Sequence, residues 1–142
     1  MSKRSDILSQ LKEELGLVIN PSNSPYKSSI SEVKQGVFKW DVITNKPCVC
    51  FSLEKDIVDE EQYGSNQLRT LTICLYVYMD SNEYEDYTDI YLLLHDLEYF
   101  FKYDFTYKDS SYVKDIGIIE GGASAPCSYI DMDIDIKYMQ EI

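Results

Sequence analysis

Histidine occurs once in this chain of 142 residues, at position 95. Hydrolytic triads and nitrogen-rich zinc centres therefore have a single imidazole to draw on. Glycine (6) and proline (4) are too few for a collagenous or low-complexity chain. Positive charge is scarce as well: 13 Lys and Arg stand against 25 Asp and Glu, a formal net charge of -12. That balance argues against a protein that coats nucleic acid, because phosphates must be met by cations. No apolar run approaches the ~18–20 residues of a membrane span, and the opening MSKRSDILSQLKEELG is too polar for a secretory leader. The phosphate-loop patterns G-x-x-x-x-G-K and G-x-G-x-x-G are missing, as is the nucleophile-elbow pattern G-x-S-x-G. Nothing in the residue chemistry assembles an enzyme, and no cofactor is expected.

What is present is ordinary globular material. Hydrophobic residues make up 44% and charged residues 27%, enough for one folded domain over residues 1–142 with a real core. Charge is unevenly spread. Residues 1–40 hold six basic residues against four acids, and residues 41–142 hold seven against 21. A mildly basic front and an acidic body suit head-to-tail docking of copies; they equally suit a surface kept soluble by like charge. The four cysteines, Cys48, Cys50, Cys74 and Cys127, read as reduced thiols without a secretory leader. Cys48 and Cys50 share a face if their segment is a strand. They are either half a zinc site or buried apolar thiols, and His95, placed in a helix, gives the first reading no support.

Residues 5–16 read as a helix, with Ser5 as N-cap, Ile7, Leu8, Leu11 and Leu15 as the apolar stripe and Gly16 as the left-handed C-terminal residue. Residues 20–25 are a turn. Residues 32–43 favour extended structure with a bend at Gly36. A strand follows Pro47, a charged loop occupies 55–66, and a long strand starts after Arg69. That strand sets Leu71, Ile73, Leu75, Val77 and Met79 on one face and Thr70, Thr72, Cys74, Tyr76 and Tyr78 on the other. The second face is amphipathic, so a partner or neighbouring segment should cover it. A second helix is expected over 83–102, with Asn82 and Glu85 as a capping box, acids in its first turn, Lys102 at its end and Ile90, Leu93, Leu94, Leu97 and Phe101 toward the core. Two strands close the chain. The first puts Ile116 and Ile118 on one face, Val113 and Ile119 on the other. The last alternates Ile130, Met132, Ile134, Ile136 and Tyr138 with Asp131, Asp133, Asp135 and Lys137. The expected fold is α+β: a mainly antiparallel sheet of four to five strands with both helices on one face.

The sharpest polar cluster is Asp131-x-Asp133-x-Asp135, three carboxylates about 6.5–7 Å apart along one strand face. It reads as a metal site, a solvated sheet face or a wall of negative charge. It departs from a calcium-loop pattern, since Ile136 stands where the turn glycine belongs. The 13 tyrosines, among them Tyr76, Tyr78, Tyr84, Tyr87 and Tyr91, read either as contact surface or as plain β-propensity.

The order of elements and the texture of the strands resemble the tail terminator (tail-completion) proteins of tailed bacteriophages. The resemblance rests on the capped first helix, the strand Pro47-Cys48-Val49-Cys50-Phe51-Ser52-Leu53-Glu54 and the strand running from Arg69 to Tyr78. It continues through the long helix leading to Asp104-Phe105-Thr106, then Ile119-Glu120-Gly121-Gly122, Pro126 and the closing Ile134-Asp135-Ile136-Lys137-Tyr138. It spans nearly the whole chain, and other head–tail connector, neck and minor tail proteins share much of it. It implies a virion protein assembled in the host cytoplasm, with no membrane association. Six copies would form a ring at the head-proximal end of the tail, in contact with tail tube protein, head connector or neck proteins and sheath. DNA would pass through without specific binding. On that reading Asp131, Asp133 and Asp135 line the lumen. Asp59, Glu60, Glu61 and Tyr63 belong to a loop that orders on ring or tube contact, and Arg69, Tyr76 and Tyr78 form an interface strand. A metal-dependent nuclease built on the Asp cluster is the enzymatic alternative.

Overall fold

The computed structural model describes residues 3–58, 66–80, 88–120 and 127–141. The elements are α1 (Lys3–Val18), β1 (Glu32–Gln35), a 3-10 turn at Trp40–Val42, β2 (Cys48–Val58), β3 (Asn66–Asp80), α2 (Thr88–Tyr99), β4 (Ser111–Ile119) and β5 (Cys127–Glu141). A π-helical turn at Phe100–Asp104 and a 3-10 turn at Lys108–Ser110 join α2 to β4. The strands form one sheet in the order β1-β2-β3-β5-β4, antiparallel except for the β1–β2 pair. The fold is α+β.

Alternation decides what the sheet buries. Val49 and Phe51 of β2, Leu71, Ile73, Leu75 and Val77 of β3, and Ile130, Met132, Ile134 and Ile136 of β5 all point to one face and join a single core. The stripes Ile7, Leu11 and Leu15 of α1 and Ile90, Leu93 and Leu97 of α2 complete that core, so both helices cover this face. Each such fully buried side chain contributes roughly 1.5–3 kcal/mol of transfer free energy. Past α2 the wider π turn, closed by Phe105 N–H to the Phe100 carbonyl at 2.9 Å, lets the consecutive Phe100 and Phe101 both reach the core. Their rings and that of Phe105 lie 5.1–5.6 Å apart, centroid to centroid.

Several local expectations change. α1 begins before Ser5 and runs past Gly16, so Ser5 is not its N-cap and Gly16 is a helical residue. The carbonyls of Leu17 and Val18 are instead met by the Asn23 side-chain amide at 3.3 and 3.1 Å. Gly36 takes the positive φ, +128°, just after β1, where the chain leaves the sheet. The extended segment expected over 32–43 is therefore a four-residue strand followed by a turn. β2 continues through residues 55–58, all of which were expected as loop, because a bulge at Glu54 re-registers it on β3. A second bulge at Lys114 moves Val113 from its expected face: it joins Ile116 and Ile118 on the helix-covered side, while Ile119 lies on the other as expected. Asn82, Glu83, Glu85 and Asp86, the expected start of the second helix, lie outside the described residues, as does the Gly121-Gly122 turn.

The bulge in β2 has an electrostatic consequence. It turns Asp56 toward the helix-covered face, where one carboxylate oxygen accepts Arg4 Nε at 2.7 Å, Arg69 Nη1 at 3.4 Å and the Tyr138 hydroxyl. The bond to Asp56, more than any other influence, holds the Arg4 guanidinium in its charged form, its pKa raised. This cluster closes the end of the core between α1 and the sheet.

Candidate functional site: an acidic ladder on the open sheet face

The face turned away from the helices is built around β5. Its register sets Asp131, Asp133 and Asp135 opposite Tyr76, Cys74 and Thr72 of β3, and opposite Gly117, Asp115 and Tyr112 of β4. The three aspartates lie in a row, as the alternation of β5 requires. Glu54, in step with Cys50 and Ser52 of β2, reaches the same face, and Asp115 joins from β4. Five carboxylates from three strands, β2, β4 and β5, thus converge, with Lys114 Nζ 3.9 Å from Asp135.

Each carboxylate meets a different environment. Thr72 Oγ1 donates to Asp135 Oδ1 at 2.7 Å. The Cys74 sulfur lies 3.0 Å from Asp133 Oδ1 and 3.2 Å from Glu54 Oε2, so its single proton serves two acceptors in turn. Burial, and then the two carboxylates, push the Cys74 thiol far above its ordinary pKa and keep it protonated. Asp131 is pushed up from the usual carboxyl value by burial first, then by the negative charges of Asp133, Asp115 and Glu54. Beside it a shallow cavity of about 90 Å³ is lined by Asp115, Ile116, Gly117, Asp131 and Asp133. Gly117 opens that floor: a Cβ there would meet the Asp131 Cβ at 3.7 Å.

Glu54, Cys74 and Asp133 are the described residues that could hold a cation, their ligand atoms lying within 4.8 Å of one another. With the thiol protonated they are a hydrogen-bonded trio, and a metal would have to displace that proton. Sequence reasoning missed Glu54 and Asp115: alternation sets Glu54 with Cys50 and Ser52, and Asp115 on the face opposite Ile116, but nothing local says that β2 and β4 flank β3 and β5.

The covering of the rest of this face comes from the chain itself. Phe38 and Ile43 pack over Cys48, Cys50, Tyr76 and Tyr78, and the Tyr78 hydroxyl donates to the Phe38 carbonyl at 2.8 Å. Tyr78 also stacks on Tyr129 at 5.9 Å. Burial, then the neighbouring Cys74 and Asp131, push the Tyr76 phenol up to about 12. The Cys48 and Cys50 sulfurs lie 3.8 Å apart, fully buried, with Cys48 pushed up to about 12 chiefly by burial. His95 is exposed on α2, away from them.

The expected interface strand does not hold together as one surface. Arg69 faces the helix side beside Asp56, while Tyr76 and Tyr78 face the other way, because 69 differs from 76 and 78 by an odd number of residues. Asp59, Glu60, Glu61 and Tyr63 lie outside the described residues. Among the described residues no helix is long and apolar enough to cross a membrane. Comparison with models of known protein families and with curated proteins finds no match for this chain.

Proposed function

We propose that the chain is a structural ring subunit of the phage tail-terminator type, with no catalytic role. Six copies close at the head-proximal end of a tail, stop growth of the tail tube and present a docking surface to the head connector. The observation that carries this reading is the open sheet face, where Glu54, Asp115, Asp131, Asp133 and Asp135 outnumber the lysines of the same face, Lys55, Lys114 and Lys137. Such a surface repels phosphate, which suits a passage through which DNA must slide without sticking.

Native mass spectrometry of the purified chain, alone and with tail tube protein, tests the reading. A six-fold species is expected; a chain that turns over a substrate, or that is missing from purified virions, refutes it. Replacing Asp131, Asp133 and Asp135 together by Lys should leave ring assembly intact and impair DNA passage, measured as DNA ejection from assembled particles. The Glu54, Cys74 and Asp133 trio favours one competing reading, a metal-dependent enzyme. Calorimetric titration with Mg²⁺, Mn²⁺ and Zn²⁺ separates the two, and saturable binding below millimolar metal would favour the enzyme.

A further inference from the structure

We infer that the cavity between the end of α2 and the start of β4 is a binding site for a small carboxylate with a compact apolar body, its charge held by Lys102 and Lys108. The inference goes beyond the ring reading and does not depend on it.

The cavity has a volume of about 290 Å³. The helix side supplies Glu98 from α2, Phe101 and Lys102 from the π turn and Lys108 from the 3-10 turn; the sheet side supplies the first residues of β4, from Ser111 to Val113. β4 is the last strand of the sheet, so no further strand of this chain closes the margin. The apolar lining is Phe101, which the π turn brings to 2% exposure, and the half-buried Val113. Ser111 already donates its hydroxyl to the Tyr107 carbonyl at 2.7 Å, which leaves its oxygen as an acceptor. The charged donors at the cavity are therefore the two ammonium groups. Both lysines are exposed, so their heads stay hydrated at the rim while their methylene stems extend the apolar wall.

Charge selects the ligand. The chain as a whole carries -12, which disfavours anions over most of its surface. At this cavity the balance is reversed: Lys102 and Lys108 stand against Glu98. Among the described residues none of the three forms an ion pair, although Glu98 and Lys102 are four apart on one helical stretch. Lys102 Nζ lies instead 5.2 Å from the centroid of the Tyr103 ring. A second cavity, of about 300 Å³, shows the contrast. There Lys27 and Lys46 face Asp80 and Asp89, and Lys46 Nζ is already 3.4 Å from Asp80. The surplus of one positive charge beside α2 matches one carboxylate. The carbonyl end of the helix gives an anion no help, so the lysines alone must hold it. At ~30 Å³ per heavy atom, the share of a water molecule in the liquid, the volume takes about ten heavy atoms, the size of a phenyl ring with a short acid tail.

Titration with phenylacetate, followed through the backbone amides in proton–nitrogen correlation spectra, tests the site. Saturable shifts in the millimolar range are expected, centred on Phe101, Lys102, Ser111 and Val113. Phenylacetamide has the same shape without the charge. It should bind about fivefold more weakly, the difference two exposed ion pairs can supply. Lys102→Gln and Lys108→Gln should each weaken phenylacetate about twofold and leave phenylacetamide unchanged. The double variant should bind the two compounds alike. Thermal melts that match the unaltered chain check that the variants fold. Equal binding of acid and amide by the unaltered chain would overturn the inference. So would a preference for the acid that survives in the double variant, shifts centred elsewhere on the molecule, or the absence of saturable shifts.

Discussion

Asp96, in the middle of α2, accepts the backbone N–H of Ser28 at 2.7 Å, and the same carboxylate oxygen takes the N–H of Lys27 at 3.0 Å. The residue is 1% exposed. A buried carboxylate is tolerable here because two peptide dipoles replace its water. Asp96 thereby ties the segment leading into β1 to the far helix. Asp96→Ala should cost about 2–4 kcal/mol, since it strands two donors. Asp96→Asn, which keeps an acceptor, should cost less. Urea unfolding checks both: the midpoint should fall at an unchanged slope. A loss below about 0.5 kcal/mol for the alanine variant would show that the segment is held by other contacts.

Gly16 offers a test with the opposite sign. It lies inside α1, and a Cβ there would meet only Val33 Cγ2 at 3.8 Å, an ordinary contact. Gly16→Ala should therefore stabilise the domain by about 0.5–1 kcal/mol, through lower unfolded-chain entropy and better helix propensity. Destabilisation of similar size would indicate a left-handed residue at the helix end. Thermal melting of the two chains decides between them.

Asp131 sets a pH dependence. Its folded-state pKa is raised by burial and by Asp133, Asp115 and Glu54, so the folded chain holds this proton more tightly than the unfolded chain does. Stability linked to this group is present below the unfolded-state pKa and is lost as pH rises through the folded-state value. At pH 7 the ionised carboxylate is therefore a net cost. Asp131→Asn should melt a few degrees higher than the unaltered chain at pH 7. That advantage should shrink on acidification through the raised pKa and vanish near the ordinary Asp value of 3.8. An advantage that persists unchanged to pH 3.5 would show that the effect is packing and not charge.

The thiols should be inert in the native protein. Cys48, Cys50 and Cys74 are buried, and burial leads the causes that raise each pKa. Iodoacetamide at pH 8 should leave all three unmodified over an hour and label them fully in 6 M guanidinium chloride, read by peptide mass spectrometry. Rapid native labelling of Cys74 would mean that the Glu54–Cys74–Asp133 trio opens readily.

The sheet was legible in the sequence wherever alternation was strict. The faces of β3 and β5 read correctly, because burial of one face imposes a period of two, although β3 begins at Asn66 and not after Arg69. The same parity places Arg69 opposite Tyr76 and Tyr78, so the separation of that trio was already written in the numbering. β2 and β4 were harder, since a bulge reverses parity without any change in composition. The π turn after α2 was also hidden: adjacent Phe100 and Phe101 look like one core residue and one exposed one until the backbone widens to bury both.

By itself, then, the order of residues determined the class of fold, the core stripes and the row of three aspartates, because each depends only on local periodicity and on the segregation of apolar from polar groups. Tertiary structure decided the company those aspartates keep: Glu54, Cys74 and Asp115 arrive from strands far apart in the chain through strand order and register. It also decided that residues 37–43 fold back over Tyr76 and Tyr78, and that β4 is left at the edge with its isoleucines half bare. Those outcomes turn on long-range pairing, where each strand's place depends on what the other four have already satisfied.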